Sequence, residues 1–333
     1  MKTFLRIVSL LTAIVFAILP SSTIKAQTRT VALTIDDLPF VRANDAPPGS
    51  ALDVKEAVAS NRKLLKAIAR HKVPVTGFVV EQRAEELGLP SGTMILRDWT
   101  RRGLDLGNHT YAHPDFDTQT AEEFEDQIVC GETTITPLMK EAGRNVEFFR
   151  FPFNHSGDTQ EKHDAVAGFL AQYGYRLAPC TIETSDWMFN SAYSLMLARK
   201  DHASAARLRV AYLAFTSEQI DYFQKLNEQV LGYEPPEIML IHDNQLNADV
   251  IEQLLALFEH KRYRWVTLNQ AESDPVYQAT DSFVTEYGPM WGYRWARVRG
   301  VKFDGRLEPD PPKWIAEYGK DKPAQPRRPR AQF

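Results

Sequence analysis

The chain has 333 residues, 44% of them hydrophobic and 25% charged, with a formal net charge of −4. That is ordinary globular composition with ample material for a core, and it sets aside disordered and repeat architectures. The acidic balance argues against a nucleic-acid partner, and the two cysteines, Cys130 and Cys180, exclude a cysteine-rich scaffold or a four-thiolate zinc site while leaving one disulfide open.

Residues 1–26 begin with Lys2 and Arg6, continue through an apolar run over 7–19 and close on Ala26. This is the order of a secretory leader, and the run is shorter than the ~20 residues that a membrane span needs. Cleavage there would remove Lys2, Arg6 and Lys25 but no acid, taking the charge from −4 to −7. The chain is therefore expected to be exported, to a periplasm or beyond the cell, with no stable membrane span after cleavage. Short apolar runs follow at 31–35, 73–80, 104–107, 146–149, 175–182, 238–241 and 265–268, with the low charge of buried strands. Helical spacing fills 54–71, 121–142, 161–173, 217–231 and 248–260. About seven β-then-α units in succession predict a parallel sheet, either a barrel or an open doubly wound sheet.

The expected organisation is a leader at 1–26, a main domain at 27–274 with a helical insertion at 188–236, and an extension at 275–333. Tyr277, Phe283, Tyr287, Trp291, Tyr293 and Trp295 crowd the start of that extension. They suit either a sugar-binding cleft or the packed end of the domain, with packing favoured. The Pro- and Arg-rich stretch from Lys320 to the end is expected to be disordered.

Chemistry-bearing residues fall at the ends of the apolar runs. Asp36 and Asp37 follow the first, and such a pair, taken alone, is more often a strand cap than a site. His109 and His113 follow the third, four residues apart, so that one turn of backbone could direct both rings to one ion. With Asp37 they would supply three ligands and leave positions open, as in a catalytic metal site, suited to zinc or a neighbour such as cobalt or nickel. Arg150 stands after the fourth run and could pair with Asp36. Asp186 and Trp187 precede the insertion, and His242 ends the sixth run, where it could donate a proton to a leaving amine with Asp186 orienting it. His155 and Asp158 read as loop residues. The glycosylation sequons at Asn108 and Asn154 fall on these same clusters and read as coincidental.

Together these residues resemble the polysaccharide deacetylases with the NodB homology domain, carbohydrate esterase family 4. Five motifs appear in order: Thr34-Ile-Asp36-Asp37-Leu-Pro39, His109-Thr-Tyr-Ala-His113-Pro114, Arg150-Phe-Pro152-Phe153, Asp186-Trp187 and Leu240-Ile-His242. The resemblance covers roughly 30–271. It implies a distorted (β/α) barrel of about seven or eight units and one divalent metal ion on Asp37, His109 and His113. It further implies Asp36 as general base tethered by Arg150, and His242 as general acid tuned by Asp186. Trp187 and Leu240 would wall the acetyl pocket, and the Phe153 backbone amide would meet the oxyanion. The implied reaction is removal of N-acetyl groups from a glycan containing N-acetylglucosamine, of chito-oligosaccharide or peptidoglycan type. Hydrolysis of acetyl-xylan or of a small amide, and a non-catalytic glycan-binding module, are the alternatives. A two-metal phosphoesterase would need more ligands than these motifs supply. Leu38 and Ile35 depart from the family's usual Gly and Phe, and Leu38 is expected to crowd the substrate beside the aspartates. The oligomeric state stays open.

Overall fold

The computed structural model describes residues 29–41, 54–279 and 281–318. The expected leader and the Pro- and Arg-rich tail lie outside the described residues. Seven parallel strands occur among them: β1 (Thr30–Leu38), β2 (Val75–Val79), β3 (Asp105–Asn108), β4 (Phe148–Phe149), β5 (Arg176–Leu177), β6 (Glu237–His242) and β7 (Arg264–Trp265). Helices alternate with them. These are α1 (Val54–His71), α2 (Glu81–Glu86), α3 (Leu89–Arg101), α4 (Ala121–Cys130), α5 (Ile135–Glu141), α6 (Gln160–Gln172), α7 (Asp186–Ala198), α8 (His202–Leu231), α9 (Gln245–His260) and α10 (Leu268–Ala271). Two more, α11 (Trp291–Arg299) and α12 (Lys313–Tyr318), belong to the C-terminal segment.

The hydrogen-bonded order is β5-β4-β3-β2-β1-β6, with β7 beside Thr30 and Val31 of β1. After β5 the chain crosses over. Ala178 N–H still donates to Phe149 of β4 (2.8 Å), but Thr181 N–H donates to Ile238 (2.9 Å), and Leu240 N–H donates to Ile182 (3.0 Å). A parallel bridge between Ile182 and Met239 completes the ring. Of the two architectures left open by the sequence, the chain adopts the distorted (β/α) barrel. The 175–182 run is one crossing segment with a short strand, because Pro179 has no N–H to give to either neighbour.

Side-chain alternation sorts β1 into two faces. Val31, Leu33 and Ile35 join the large outer core, whereas Ala32 packs with Phe78, Phe148, Ala178 and Ile238 inside the ring. Thr34 and Asp36 share the inward face with Ala32. The barrel is therefore floored with apolar side chains and turns polar towards the C-terminal ends of its strands, where active sites of such barrels sit.

The helices are placed by ordinary local signals. One face of α1 buries Ala57, Leu64, Leu65 and Ile68, α4 opens with a Thr120–Glu123 capping box, and α8 ends at Gly232 with φ 82°. Two results differ from expectation. No helix is expected between Val80 and Leu104, yet α2 and α3 lie there. Gly92 lets the two helices close up, since a Cβ there would sit 2.5 Å from the Ala84 carbonyl oxygen. The expected helix over 121–142 divides into α4 and α5 around Gly131, for a reason found at the site. Among the described residues, no helix is long and apolar enough to cross a membrane.

Candidate active site

Because all strands run the same way, the polar strand ends meet at one mouth. Asp37, next to last in β1, has φ 70°, a left-handed backbone that non-glycine residues adopt at a cost of about 1–2 kcal/mol. Its Oδ2 pairs with Arg83 Nη1 of α2 at 2.8 Å. Its Oδ1 is buried and has no hydrogen-bond partner among the described residues. That oxygen faces His113 Nε2 at 3.6 Å and His109 Nε2 at 3.9 Å. Two ligand atoms about 2.0–2.1 Å from a tetrahedral ion stand roughly 3.4 Å apart, so the three side chains fit one divalent cation.

The imidazoles are in the form that binds metal. His109 Nδ1 lies 2.8 Å from the Arg150 carbonyl oxygen, which can only accept, so the ring proton sits on Nδ1 and the Nε2 lone pair points to Asp37. Burial lowers the pKa of His109 against the pull of Asp36 and Asp37. Burial likewise takes His113 down to about 3, outweighing Asp37. Asp37 is itself held low: burial opposes the charge, but Arg83 and the surrounding histidines favour it more. The loop carrying the two rings hangs from α4. Tyr111 N–H donates to the Gln127 carbonyl (2.9 Å), Ala112 N–H to the Gln127 side chain (2.9 Å), and Asn108 Nδ2 to the Ile128 carbonyl (2.8 Å). Gly131 breaks the helix where the loop presses on it, since a Cβ there would lie 2.5 Å from Asn108 Oδ1 and 2.9 Å from the Thr110 backbone.

Asp36 points into the barrel and accepts from Arg150 Nη1 at 2.8 Å. The same nitrogen donates to Thr34 Oγ1 (2.6 Å), Nη2 donates to the Pro179 carbonyl (3.0 Å), and Nε to the Ala178 carbonyl (3.2 Å). The guanidinium also lies over the Phe78 ring, 4.4 Å from its centroid. A buried charge pair so fully satisfied is rigid, and deleting one partner typically costs about 3–5 kcal/mol. Asp36 Oδ2 stays turned towards the Asp37, His109 and His113 cluster, 3.8 Å from His109 Nε2.

Across the mouth, His242 Nδ1 donates to Asp186 Oδ1 at 2.7 Å and the His242 backbone N–H to Asp186 Oδ2 at 2.8 Å. Asn244 and Asn247 also donate to Oδ2. Burial disfavours the imidazolium, yet Asp186, with help from Asp37 and Asp36, pushes His242 up to about 10. Four hydrogen bonds hold the Asp186 carboxylate in place.

Phe153 is half exposed (39%) and sets its ring edge-on to His113, with centroids 4.7 Å apart. Phe153 and Asn154 both have φ 57°. Leu240 is buried and Trp187 partly so. Leu38, expected to crowd the substrate, is fully buried and packs towards Gly77 and Trp99, so it shapes the core instead. His155, on the 152–156 loop, bridges Asp115 Oδ1 (2.7 Å) and Asp117 Oδ2 (3.1 Å), and Asp158 pairs with Lys162 (3.0 Å), forming a loop staple. Cys130 and Cys180 are free thiols, the first exposed and the second buried. Among the C-terminal aromatics Phe283, Trp291 and Tyr293 are buried, which places them in packing. Asn108 is fully buried, in keeping with a coincidental sequon there. Arg83, Asn244, Asn247 and Arg294 are absent from the sequence-derived site. The Asn pair had a signal, Asn-x-x-Asn at the start of α9, and the two arginines had none.

Fold and mouth define a class: a (β/α) barrel with a cluster able to hold one cation at the C-terminal ends of its strands. Residues 23–177 match the family model described as Polysaccharide deacetylase. A peptidoglycan-N-acetylglucosamine deacetylase of Bacillus cereus is 27% identical over 130 residues, covering 39% of this chain and 42% of that protein. A chitooligosaccharide deacetylase of Sinorhizobium fredii is 26% identical over 125 residues, covering 38% and 52%. The chain thus aligns with about half the length of these relatives. Solved structures resemble it loosely. A CE4 family pseudoenzyme from Bacillus anthracis has a TM-score of 0.48 at 16% identity, covering 74% of this chain and 66% of that one. A family 4 carbohydrate esterase from Streptomyces lividans in complex with acetate has 0.44 at 17%, covering 73% and 95%.

Proposed function

We propose that this chain is an exported, metal-dependent hydrolase that removes N-acetyl groups from a glycan containing N-acetylglucosamine. The observation that carries the proposal is the unpartnered Asp37 Oδ1 facing two neutral imidazoles, with an arginine-held carboxylate on one side and an aspartate-held imidazolium on the other. Asp37, His109 and His113 would hold the ion, and zinc or a neighbouring transition metal suits two nitrogens and one oxygen. Bound there, the ion would supply Lewis-acid polarisation of the acetyl carbonyl and a water nucleophile available at neutral pH.

The chain's own groups carry the proton transfers. Asp36, with Oδ1 taken by Arg150, accepts the water proton on Oδ2 as the water oxygen adds to the carbonyl carbon. The Phe153 backbone N–H faces the oxyanion that forms, while Trp187 and Leu240 wall the acetyl methyl. His242, charged through Asp186, gives its Nε2 proton to the sugar nitrogen. The C–N bond then breaks, releasing acetate and a free amine.

Acetate release from chito-oligosaccharides, peptidoglycan and acetyl-xylan, measured in parallel with and without chelator, tests the proposal. Amine appearing from the first or second substrate, abolished by chelator and restored by metal, is the expected result. Release from acetyl-xylan alone would make the chain an esterase. Asp36→Asn should keep its metal and lose at least about 1,000-fold in kcat, whereas His109→Ala should lose both metal and activity. A fully metal-loaded His109→Ala protein would refute the ligand set.

A further inference from the structure

The loop bearing Phe153 holds two consecutive non-glycine residues in left-handed backbone. Such a conformation persists only where its surroundings hold it. What holds it here comes from the far end of the chain. Arg294 of α11 is fully buried. It donates from Nη2 to the Asn154 carbonyl (2.6 Å) and from Nη1 to Ser156 Oγ (2.9 Å). Arg294 is in turn fixed by Asp281 Oδ2 (2.7 Å), by the Pro289 carbonyl (3.2 Å) and by the Trp291 ring, 4.2 Å from the guanidinium carbon. Two further ties run alongside. Trp291 N–H donates to the Cys180 carbonyl (2.9 Å), and the Cys180 thiol reaches Asn154 Oδ1 (3.2 Å). Gly288 passes so close to the loop that a Cβ would fall 1.8 Å from the Phe153 carbonyl oxygen.

We propose that Arg294 is a positioning residue of the acyl pocket, reaching from the C-terminal segment to hold the 152–156 loop so that the Phe153 amide and ring stand over the metal ligands. This rests on the deacetylase reading above. Arg294 touches no metal ligand and ends on a backbone carbonyl, so its removal should leave ion binding intact and displace the oxyanion donor. A displacement of about 1 Å at such a donor can cost roughly 100-fold in rate.

The test compares the full chain with Arg294→Gln and Arg294→Lys on three measurements: zinc affinity by calorimetry, kcat and KM for acetate release from a chito-oligosaccharide, and hydrogen exchange at single amides. Arg294→Gln should lower kcat by 10- to 100-fold with KM and zinc affinity within about threefold of wild type. Exchange should quicken at least about tenfold at the Asn154 and His155 amides, which donate to the Phe151 and Pro152 carbonyls, but not at Arg150 or Tyr111. Arg294→Lys, which keeps the charge and loses the fork, should fall between. An unchanged kcat per bound zinc, or exchange quickened evenly along the chain, would overturn the proposal. If Arg294→Gln does not fold, Arg294→Lys is judged by the same criteria. If the wild-type chain releases no acetate from any glycan, the deacetylase reading fails and exchange alone decides. Quickening confined to Asn154 and His155 then upholds the clamp, and its absence removes it.

Discussion

At the scale of single residues two carboxylates of the mouth, Asp36 and Asp186, have different partners. Asp36 is saturated on one oxygen by a guanidinium and open on the other, while Asp186 is surrounded by donors and serves His242. Each carboxylate thereby has one task, since its remaining lone pairs are already assigned. A consequence is testable by pH. His242 sits at about 10 chiefly because the charge of Asp186 outweighs the cost of burial. Asp186→Asn removes that charge, so the imidazolium gives up its proton at lower pH. The alkaline limb of kcat/KM should move down by more than about one unit, and activity at pH 8 should drop roughly 10- to 100-fold. A limb that does not move would separate His242 from the acid role.

At the scale of elements the decisive feature is the seat on α4 of the loop that carries His109 and His113. The loop's geometry comes from helix-end carbonyls, the Gln127 side chain and a glycine-sized gap, so the helix break and the positions of the two imidazoles are one feature. Gly131 has φ −66°, which any residue can adopt, so a substitution there acts by bulk alone. Gly131→Ala should push Thr110 and with it both imidazoles, weakening zinc binding about tenfold and lowering stability by about 1–3 kcal/mol. Calorimetry with zinc and thermal unfolding would measure both. Zinc affinity equal to wild type would show that the loop is held independently of α4. The element α2 matters for a similar reason: it begins directly after β2 and sets Arg83 against Asp37, engaging Oδ2 and leaving Oδ1 without a hydrogen-bond partner among the described residues.

For the whole molecule, the two ends of the barrel treat charge differently. At the mouth Asp36, Asp37 and Asp186 each face a cationic side chain, whereas at the opposite end Glu237 begins β6 fully buried with Asn227 and Thr181 as its hydrogen-bond partners among the described residues. Burial pushes its carboxyl up to about 7 against those hydrogen bonds. Below about pH 4.5 folded and unfolded chains both carry the proton. Between there and 7 only the folded chain keeps it, so stability falls as pH rises, by on the order of 3 kcal/mol once above 7. Glu237→Gln removes this dependence. Its amide can also donate to Asn227 Oδ1, which has no partner among the described residues. The gap in melting temperature between variant and wild type should widen by roughly 5 °C from pH 5 to pH 8. A constant gap would show that Glu237 stays ionised in the fold.

The strand-ending residues were legible because a parallel β/α repeat carries its own geometry. Strands that all run one way bring Asp36, Asp37, Arg150 and His242 to one mouth, and alternation along β1 turns Asp36 inward with Thr34 and Ala32. The helices α1, α6 and α9 follow from apolar spacing along single segments. Other features depend on contacts between distant segments, which no local pattern records. The segment 89–101 is helical despite Pro90 and Gly92, with Gly92 closing on Ala84, and the helix over 121–142 breaks where Gly131 meets Thr110. Leu38, which lies beside the aspartates in sequence, turns away into the core. Arg83 reaches Asp37 across 46 residues, and Arg294 reaches Asn154 across 140. Sequence by itself therefore determined which side chains stand at the strand ends. Only the tertiary structure decided what holds them there, because each support is a single contact whose partner is chosen by how the elements pack.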